Sequence, residues 1–174
     1  MKIAVLGYSG AGKSTLAKFL GEFYNIPVLH LDTVQFEPGW VERDRSKAKE
    51  IVYRFMQKSD WVIDGNYTGF YQQERLEQAD RILLLEFSRI CCFYRVWKRY
   101  RQNMGRVRES MAEGCEEKLD AGFIFWVLFQ GRTSKRRKHL AAIAESYPQK
   151  TLVLKNSKQV QAYQMGLETD LILN

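Results

Sequence analysis

The chain has 174 residues, of which 45% are hydrophobic and 27% charged; this fits a single soluble globular domain and excludes disordered and fibrous classes. No apolar run approaches the ~20 residues of a membrane-spanning helix, and the run at 3–6 stops at Gly7, too short for the core of an export signal, so the expected compartment is the cytoplasm. The formal charge of +7 points to a polyanionic partner, either a nucleic acid or a nucleotide, and composition alone does not separate the two.

Three cysteines, Cys91, Cys92 and Cys115, are odd in number and two are adjacent. They lack metal-ligand spacing and are expected to be reduced thiols. In chain order, residues 2–6 form a short apolar strand, followed by glycines and a helix at 13–23. Leu16, Phe19, Leu20 and Phe23 give that helix one apolar face. A second strand at 26–31 ends at Asp32, and 35–44 is expected to be a loop around Pro38 and Gly39. A helix follows at 46–58, with Ile51, Val52, Phe55 and Met56 inward. Next come a strand at 61–63 ending in Asp64-Gly65, a helix at 71–79 and a strand at 81–87. A long basic helix is expected at 88–103, then a glycine-punctuated segment at 104–121. The apolar run 123–129 continues into a helix to about residue 147. A fifth strand at 151–154 and a helix from about 158 complete the chain. No repeat or flexible linker appears, so 1–174 reads as one domain. Five apolar strands alternating with helices predict an α/β fold: a five-stranded parallel sheet with helices on both faces. Ligands bind such sheets beyond the carboxyl ends of the strands, where Gly7, Asp32 and Asp64 fall.

Residues 7–15 read G-Y-S-G-A-G-K-S-T and match G-x-x-x-x-G-K-[ST] between a strand and an amphipathic helix. In this phosphate-binding loop, Gly7, Ser9, Gly10, Ala11 and Gly12 let successive backbone N–H groups converge on a phosphate. The helix start adds its positive end. Lys13 brings a mobile charge to the β- and γ-phosphates, Ser14 offers a hydroxyl to Mg²⁺, and Thr15 is a second hydroxyl nearby. The expected ligand is a nucleoside triphosphate with magnesium. Asp64 is the first choice for holding the metal or its waters. Asp32 is the second, or it acts as a general base on an acceptor hydroxyl. Either carboxylate also suits a turn cap.

The order of these segments resembles adenylate kinase and its relatives: the loop, the strand ending Asp64-Gly65, the strand ending Glu86-Phe87, and the basic helix. Arg95 and Arg99 follow Glu86 by nine and thirteen positions, as two arginines do in that family. The resemblance implies that Arg95 packs on the adenine of ATP, that Arg99 reaches its phosphates, and that 104–121 is a small mobile lid. The segments G-Y-S-G-A-G-K-S-T, V-L-H-L-D-T, P-G-W-V-E-R-D-R, W-V-I-D-G-N-Y and M-A-E-G-C-E-E-K-L-D more closely resemble the FlaR-like bacterial DNA topology modulation proteins. Adenylate kinases follow Asp-Gly with Phe-Pro-Arg to grip the acceptor's phosphate, whereas this chain has Asn66, Tyr67 and Thr68. Asn66, Arg43 (or Arg45), Asp32 and Gln72, at the position of a base-reading glutamine, are the expected acceptor contacts.

Residues 89–108 carry six arginines, one lysine and no acid, and 132–138 holds five basic residues in seven. Arginines suit two-pronged phosphate gripping, so Arg99 and Arg136 are expected to act in catalysis, with Arg106, Arg108 and Arg132 as alternatives. Phe93, Tyr94, Trp97 and Tyr100 interleave the basic helix. Their spacing favours a core-facing stripe over a nucleic-acid stacking surface. Phe123, Phe125, Trp126 and Phe129 are likewise expected in the core. The function expected is a kinase with a small-molecule acceptor, nucleotide-like or hydroxylated. The alternative is an ATP-regulated DNA-binding protein.

Overall fold

The structure is a computed structural model and describes residues 1–103, 111, 114–115 and 119–173. Strands β1 (Lys2–Gly7), β2 (Val28–His30), β5 (Trp61–Asp64), β6 (Arg81–Leu85) and β7 (Thr151–Leu154) form one parallel sheet in the order β2-β5-β1-β6-β7. Two-residue strands β3 (Phe36–Glu37) and β4 (Val41–Glu42) form a separate antiparallel hairpin. The helices are α1 (Lys13–Tyr24), α2 (Leu31–Gln35), α3 (Arg45–Met56), α4 (Gln72–Gln78), α5 (Arg89–Asn103), α6 (Ala121–Leu128), α7 (Ser134–Ser146) and α8 (Ser157–Leu173). The expected fold class therefore holds. Ile3, Leu6, Ile63 and Leu84 are wholly buried, so the central strands are covered on both faces. Each such side chain contributes about 1.5–3 kcal/mol of burial free energy. Among the described residues, no helix is long and apolar enough to cross a membrane.

β1 lies between β5 and β6, and the register sets Val5 beside Asp64 and Gly7 beside Leu85. The chain moves to opposite sides of β1 before and after β5, so the loop leaving β1 sits at the switch point of the sheet. Its first residue must be glycine: Gly7 has φ 139°, and a Cβ there would lie 2.3 Å from the Leu85 carbonyl oxygen.

Several expectations need correction. The second strand ends at His30, and Asp32 lies in the first turn of α2, not at a strand end. Thr33 Oγ1 donates to the His30 carbonyl at 2.7 Å and starts that turn. The expected loop 35–44 is a hairpin with a 3₁₀ turn at Pro38–Trp40. Arg43 closes it, with Nε donating to the Val34 carbonyl at 2.9 Å. Asp44 caps α3 by accepting from Ser46 and Lys47 amides, which sets Arg45 at the start of the helix. The buried stripe of α3 is Ala48, Val52 and Met56, leaving Ile51 38% exposed on its flank. The helix expected to run unbroken from 123 to 147 is two helices joined by a turn at Gln130–Arg132. Gly131 backs onto Trp126 there, so closely that a Cβ would lie 2.9 Å from the Trp126 carbonyl oxygen.

Aromatic placement is mixed. Phe93, Phe123 and Trp126 pack against the core. Tyr94 (57% exposed), Trp97 (38%), Phe125 (51%) and Phe129 (51%) do not belong to it. Arginines take the role of core partner at two of these rings: Arg101 lies 5.0 Å from the Trp97 ring and Arg89 5.8 Å from that of Phe129. Of the expected lid at 104–121, residues 104–110, 112–113 and 116–118 lie outside the described residues, and Arg106 and Arg108 with them. Met111 and Cys115 are buried against Phe36 and Trp40.

Candidate active site

A cavity of about 1830 Å³ lies above the carboxyl edge of the sheet. One wall comes from the P-loop and α1, joined by α5 and by the α6–α7 region. The other comes from α2, the β3–β4 hairpin, the start of α3, and residues 65–70 after β5. The P-loop therefore shares a single cavity with Asp32.

Ser9, Gly10, Gly12, Lys13, Ser14 and Thr15 all line this cavity, and Ala11 is buried behind them. Lys13 Nζ donates to the Tyr8 carbonyl at 3.2 Å, folding back over its own loop. Ser9 Oγ accepts from Trp126 Nε1 at 3.2 Å, which fastens α6 to the loop. Gly12 begins α1 with φ 96°, and a Cβ there would lie 2.5 Å from Arg95 Nη2, so the Arg95 guanidinium rests against the loop backbone. Arg95 Nη1 also donates to Ser157 Oγ at 3.1 Å, and the guanidinium lies 5.2 Å from the Phe87 ring. Arg99 lines the same wall. Arg136 lies 4.4 Å from the Trp126 ring and faces the cavity. Arg132 lies outside the cavity lining. Its guanidinium sits 3.9 Å from the Tyr8 ring centroid and Nη2 donates to Cys92 Sγ at 2.9 Å, so it braces the P-loop from behind.

On the opposite wall, Asp32 Oδ1 accepts from the Tyr67 hydroxyl at 2.7 Å. Burial raises the Tyr67 hydroxyl pKa well above the tyrosine range, and the Asp32 charge adds to the effect. Arg43 lines the cavity, but its guanidinium is turned to the hairpin, near the Val34 and Phe36 carbonyls and 3.5 Å from Glu37. Asn66 also lines the cavity. Its side-chain amide is engaged at both ends by Gly7: Oδ1 accepts from Gly7 N at 3.0 Å, and Nδ2 donates to Gly7 O at 2.7 Å. Gln72 is buried and outside the lining. It donates to the Asn66 carbonyl at 3.3 Å and sits 2.7 Å from His139 Nε2.

Asp64 is 3% exposed and is not part of the lining. His30 beside it does line the cavity, and its Nδ1 lies 3.1 Å from Asp64 Oδ1. Asp64 Oδ2 is buried with no hydrogen-bond partner among the described residues. Among the described residues, no group of three His, Cys, Asp or Glu side chains is placed to hold a metal. A Ser14 hydroxyl and one or two carboxylates fit magnesium, which takes most of its ligands from phosphates and water.

Three side chains here were not picked out from the sequence. His30 precedes Asp32 by two residues, and the H-L-D triplet was the available signal. Tyr67 was noted only for breaking the adenylate kinase pattern. Arg75 carried no signal, being one arginine on a polar helix. It is wholly buried and donates to the carbonyls of Phe70 (2.8 Å), Gly65 (3.4 Å) and Tyr67 (2.9 Å). It thereby shapes the whole 65–70 loop.

A P-loop leaving the central strand of a five-stranded parallel sheet defines a P-loop α/β fold, and one solved structure agrees. Shikimate kinase from Acinetobacter baumannii, in complex with shikimate, superposes with a TM-score of 0.57 at 14% identity, covering 99% of this chain and 94% of that one. Shikimate kinase from Bacteroides thetaiotaomicron (TM-score 0.49, 16% identity, 98% of each chain) and an uncharacterized protein from Eubacterium ventriosum (0.48, 15%, 97% and 98%) superpose less well and carry no weight. At these identities the likeness shows the fold alone. No family model and no curated protein matches the chain.

Proposed function

We propose that this protein is an ATP-dependent kinase that moves the γ-phosphoryl group of ATP to a hydroxyl of a small molecule. The observation that carries this reading is one cavity lined both by Lys13, Ser14 and Thr15 and by Asp32. The first group suits a triphosphate and Asp32 suits a hydroxyl. Lys13 neutralises β- and γ-phosphate charge, and Arg99 and Arg136 line the cavity from the same side. Arg95 supplies a planar cation for the adenine to lie on. Ser14 in the cavity lining and Asp64, buried just behind it, would hold magnesium or its waters, and the ion would offset charge on the phosphates. Asp32 accepts the acceptor's proton, its second oxygen left for that task by the Tyr67 hydrogen bond on the first.

Support for the fold comes from the shikimate kinase of Acinetobacter baumannii, whose bound shikimate is also a small molecule. The finer resemblance to DNA topology modulation proteins rests on the sequence segments alone. Calorimetry with Mg²⁺-ATP, followed by ADP-release assays over nucleosides, nucleotides and hydroxylated metabolites, tests the reading. Binding plus turnover with one acceptor class is expected; a folded protein giving no heat with ATP ends it.

A second reading, ATP-regulated nucleic-acid binding, is favoured by the exposed Tyr94 and Trp97 beside Arg101. It requires affinity for single-stranded DNA that falls steeply with salt.

A further inference from the structure

Resting on the kinase reading, we infer that the acceptor is a neutral or cationic ring compound bearing a hydroxyl, and that the site discriminates against acceptors already carrying a phosphate. A phosphate-bearing acceptor needs cations or N–H groups left over to grip it. Among the described residues of the acceptor wall, the side-chain cations and amides are largely committed. Arg43 is turned to the hairpin carbonyls and Glu37. The Asn66 amide is engaged by Gly7 at both ends. Arg75 is wholly buried beneath the loop. Arg45 remains, at the exposed rim.

Two carboxylates face the same end of the cavity. Asp32 is hydrogen-bonded by a neutral phenol, and Glu42 has no ion pair among the described residues. A phosphate dianion brought there meets like charge, whereas an amine or an uncharged hydroxyl does not. Aromatic rings line the same wall. Phe36 and Trp40 meet edge-to-face at 5.3 Å, Tyr67 and Phe70 lie 5.3 Å apart, and all four line the cavity. Aromatic faces hold flat or apolar rings and attract cations.

The transfer balances without another reactant. The acceptor oxygen bonds to the γ-phosphorus, and the bond from that phosphorus to the β–γ bridging oxygen breaks. ADP leaves with the electron pair, and the hydroxyl proton passes to Asp32.

The test uses matched pairs with the full-length protein: nucleosides against their 5′-monophosphates, and amino sugars against their 6-phosphates. Binding is read by calorimetry with Mg²⁺ and a non-hydrolysable ATP analogue, and turnover by ADP release. The unphosphorylated member is expected to bind and react at least tenfold better in one series; the nucleoside arm separates recognition of a planar base from recognition of a cationic sugar. Glu42→Gln should narrow that preference at least threefold, with KM for ATP as the donor-side control. Tighter binding of the phosphorylated members, binding by neither, or a preference untouched by Glu42→Gln overturns the inference. If ATP itself still binds in those cases, only the acceptor assignment fails; if ATP gives no heat, the kinase reading fails with it.

Discussion

The two walls of the cavity are built by different means. The donor wall is a backbone device: a glycine loop, flanked in the cavity lining by Lys13, Arg95, Arg99, Arg136 and Asp120. The acceptor wall is a side-chain device, in which Asp32, Tyr67 and Asn66 are set by contacts between residues far apart in sequence, and Arg75 holds the 65–70 loop from beneath. A backbone device tolerates any triphosphate of the right charge. A side-chain device selects. Under the proposed kinase reading, the contrast assigns acceptor specificity to the wall without a motif.

The sharpest way to break the contrast is to damage each wall once. Asp32→Asn removes the base while keeping the Tyr67 contact's acceptor oxygen, so kcat should fall roughly 10²- to 10⁴-fold with ATP affinity unchanged. Lys13→Ala should lower kcat/KM by about 10²- to 10³-fold, mostly through the nucleotide, and leave the thermal midpoint in place because the side chain faces the cavity. Calorimetry and initial rates on both variants decide the matter. If Asp32→Asn weakened ATP binding as much as Lys13→Ala does, the walls would not be separable.

Arg75→Met probes the support of the acceptor wall. The guanidinium is buried, its pKa depressed by desolvation to about 10, and its donors serve the loop carbonyls. Losing them should cost about 3 kcal/mol, which lowers the melting midpoint by roughly 6–12 °C in a chain of this size. Acceptor KM should rise while KM for ATP holds. A variant that melted normally and bound acceptor normally would reduce Arg75 to a bystander.

This division also explains what was legible in the sequence. The five strands and the P-loop follow from local patterns, apolar runs and fixed glycine spacing, so both were readable before any coordinates. Asp32 was readable too, though not its helical setting in α2. The roles of Asn66 and Gln72 were not, because an amide's partner is chosen by the fold: Gly7, 59 residues away, claims Asn66. Arg75 looked like surface charge, since nothing local marks an arginine for burial under a loop. Tyr94 and Trp97 misled in the opposite direction: their helical spacing fits a core stripe, but both stay exposed, beside each other and with the Arg101 guanidinium near the Trp97 ring.

The smallest expected effect concerns Tyr67. Tyr67→Phe deletes one hydrogen bond to a carboxylate, so kcat should drop roughly tenfold while ATP affinity stays put. A packing defect alone would move acceptor KM and stability together and leave no trace in pH dependence, and the hydroxyl does leave one. Its folded-state pKa lies above the unfolded value of 10.0, first through burial and then through Asp32. Below pH 10 both states hold the proton and the stabilisation is complete. Above it the unfolded chain releases the proton while the folded chain keeps it, so stability falls as pH rises, by up to about 1.4 kcal/mol per pH unit. Arg75, its pKa lowered by desolvation to about 10, acts with the opposite sign above that pH, where the unfolded state binds the extra proton. That contribution is common to both proteins and cancels on subtraction. Denaturant melts of wild type and Tyr67→Phe from pH 9 to 11 should therefore diverge in slope above pH 10, the variant losing less. Parallel slopes would mean that the phenol is not held against Asp32, and the acceptor wall would lose the contact that orients its base.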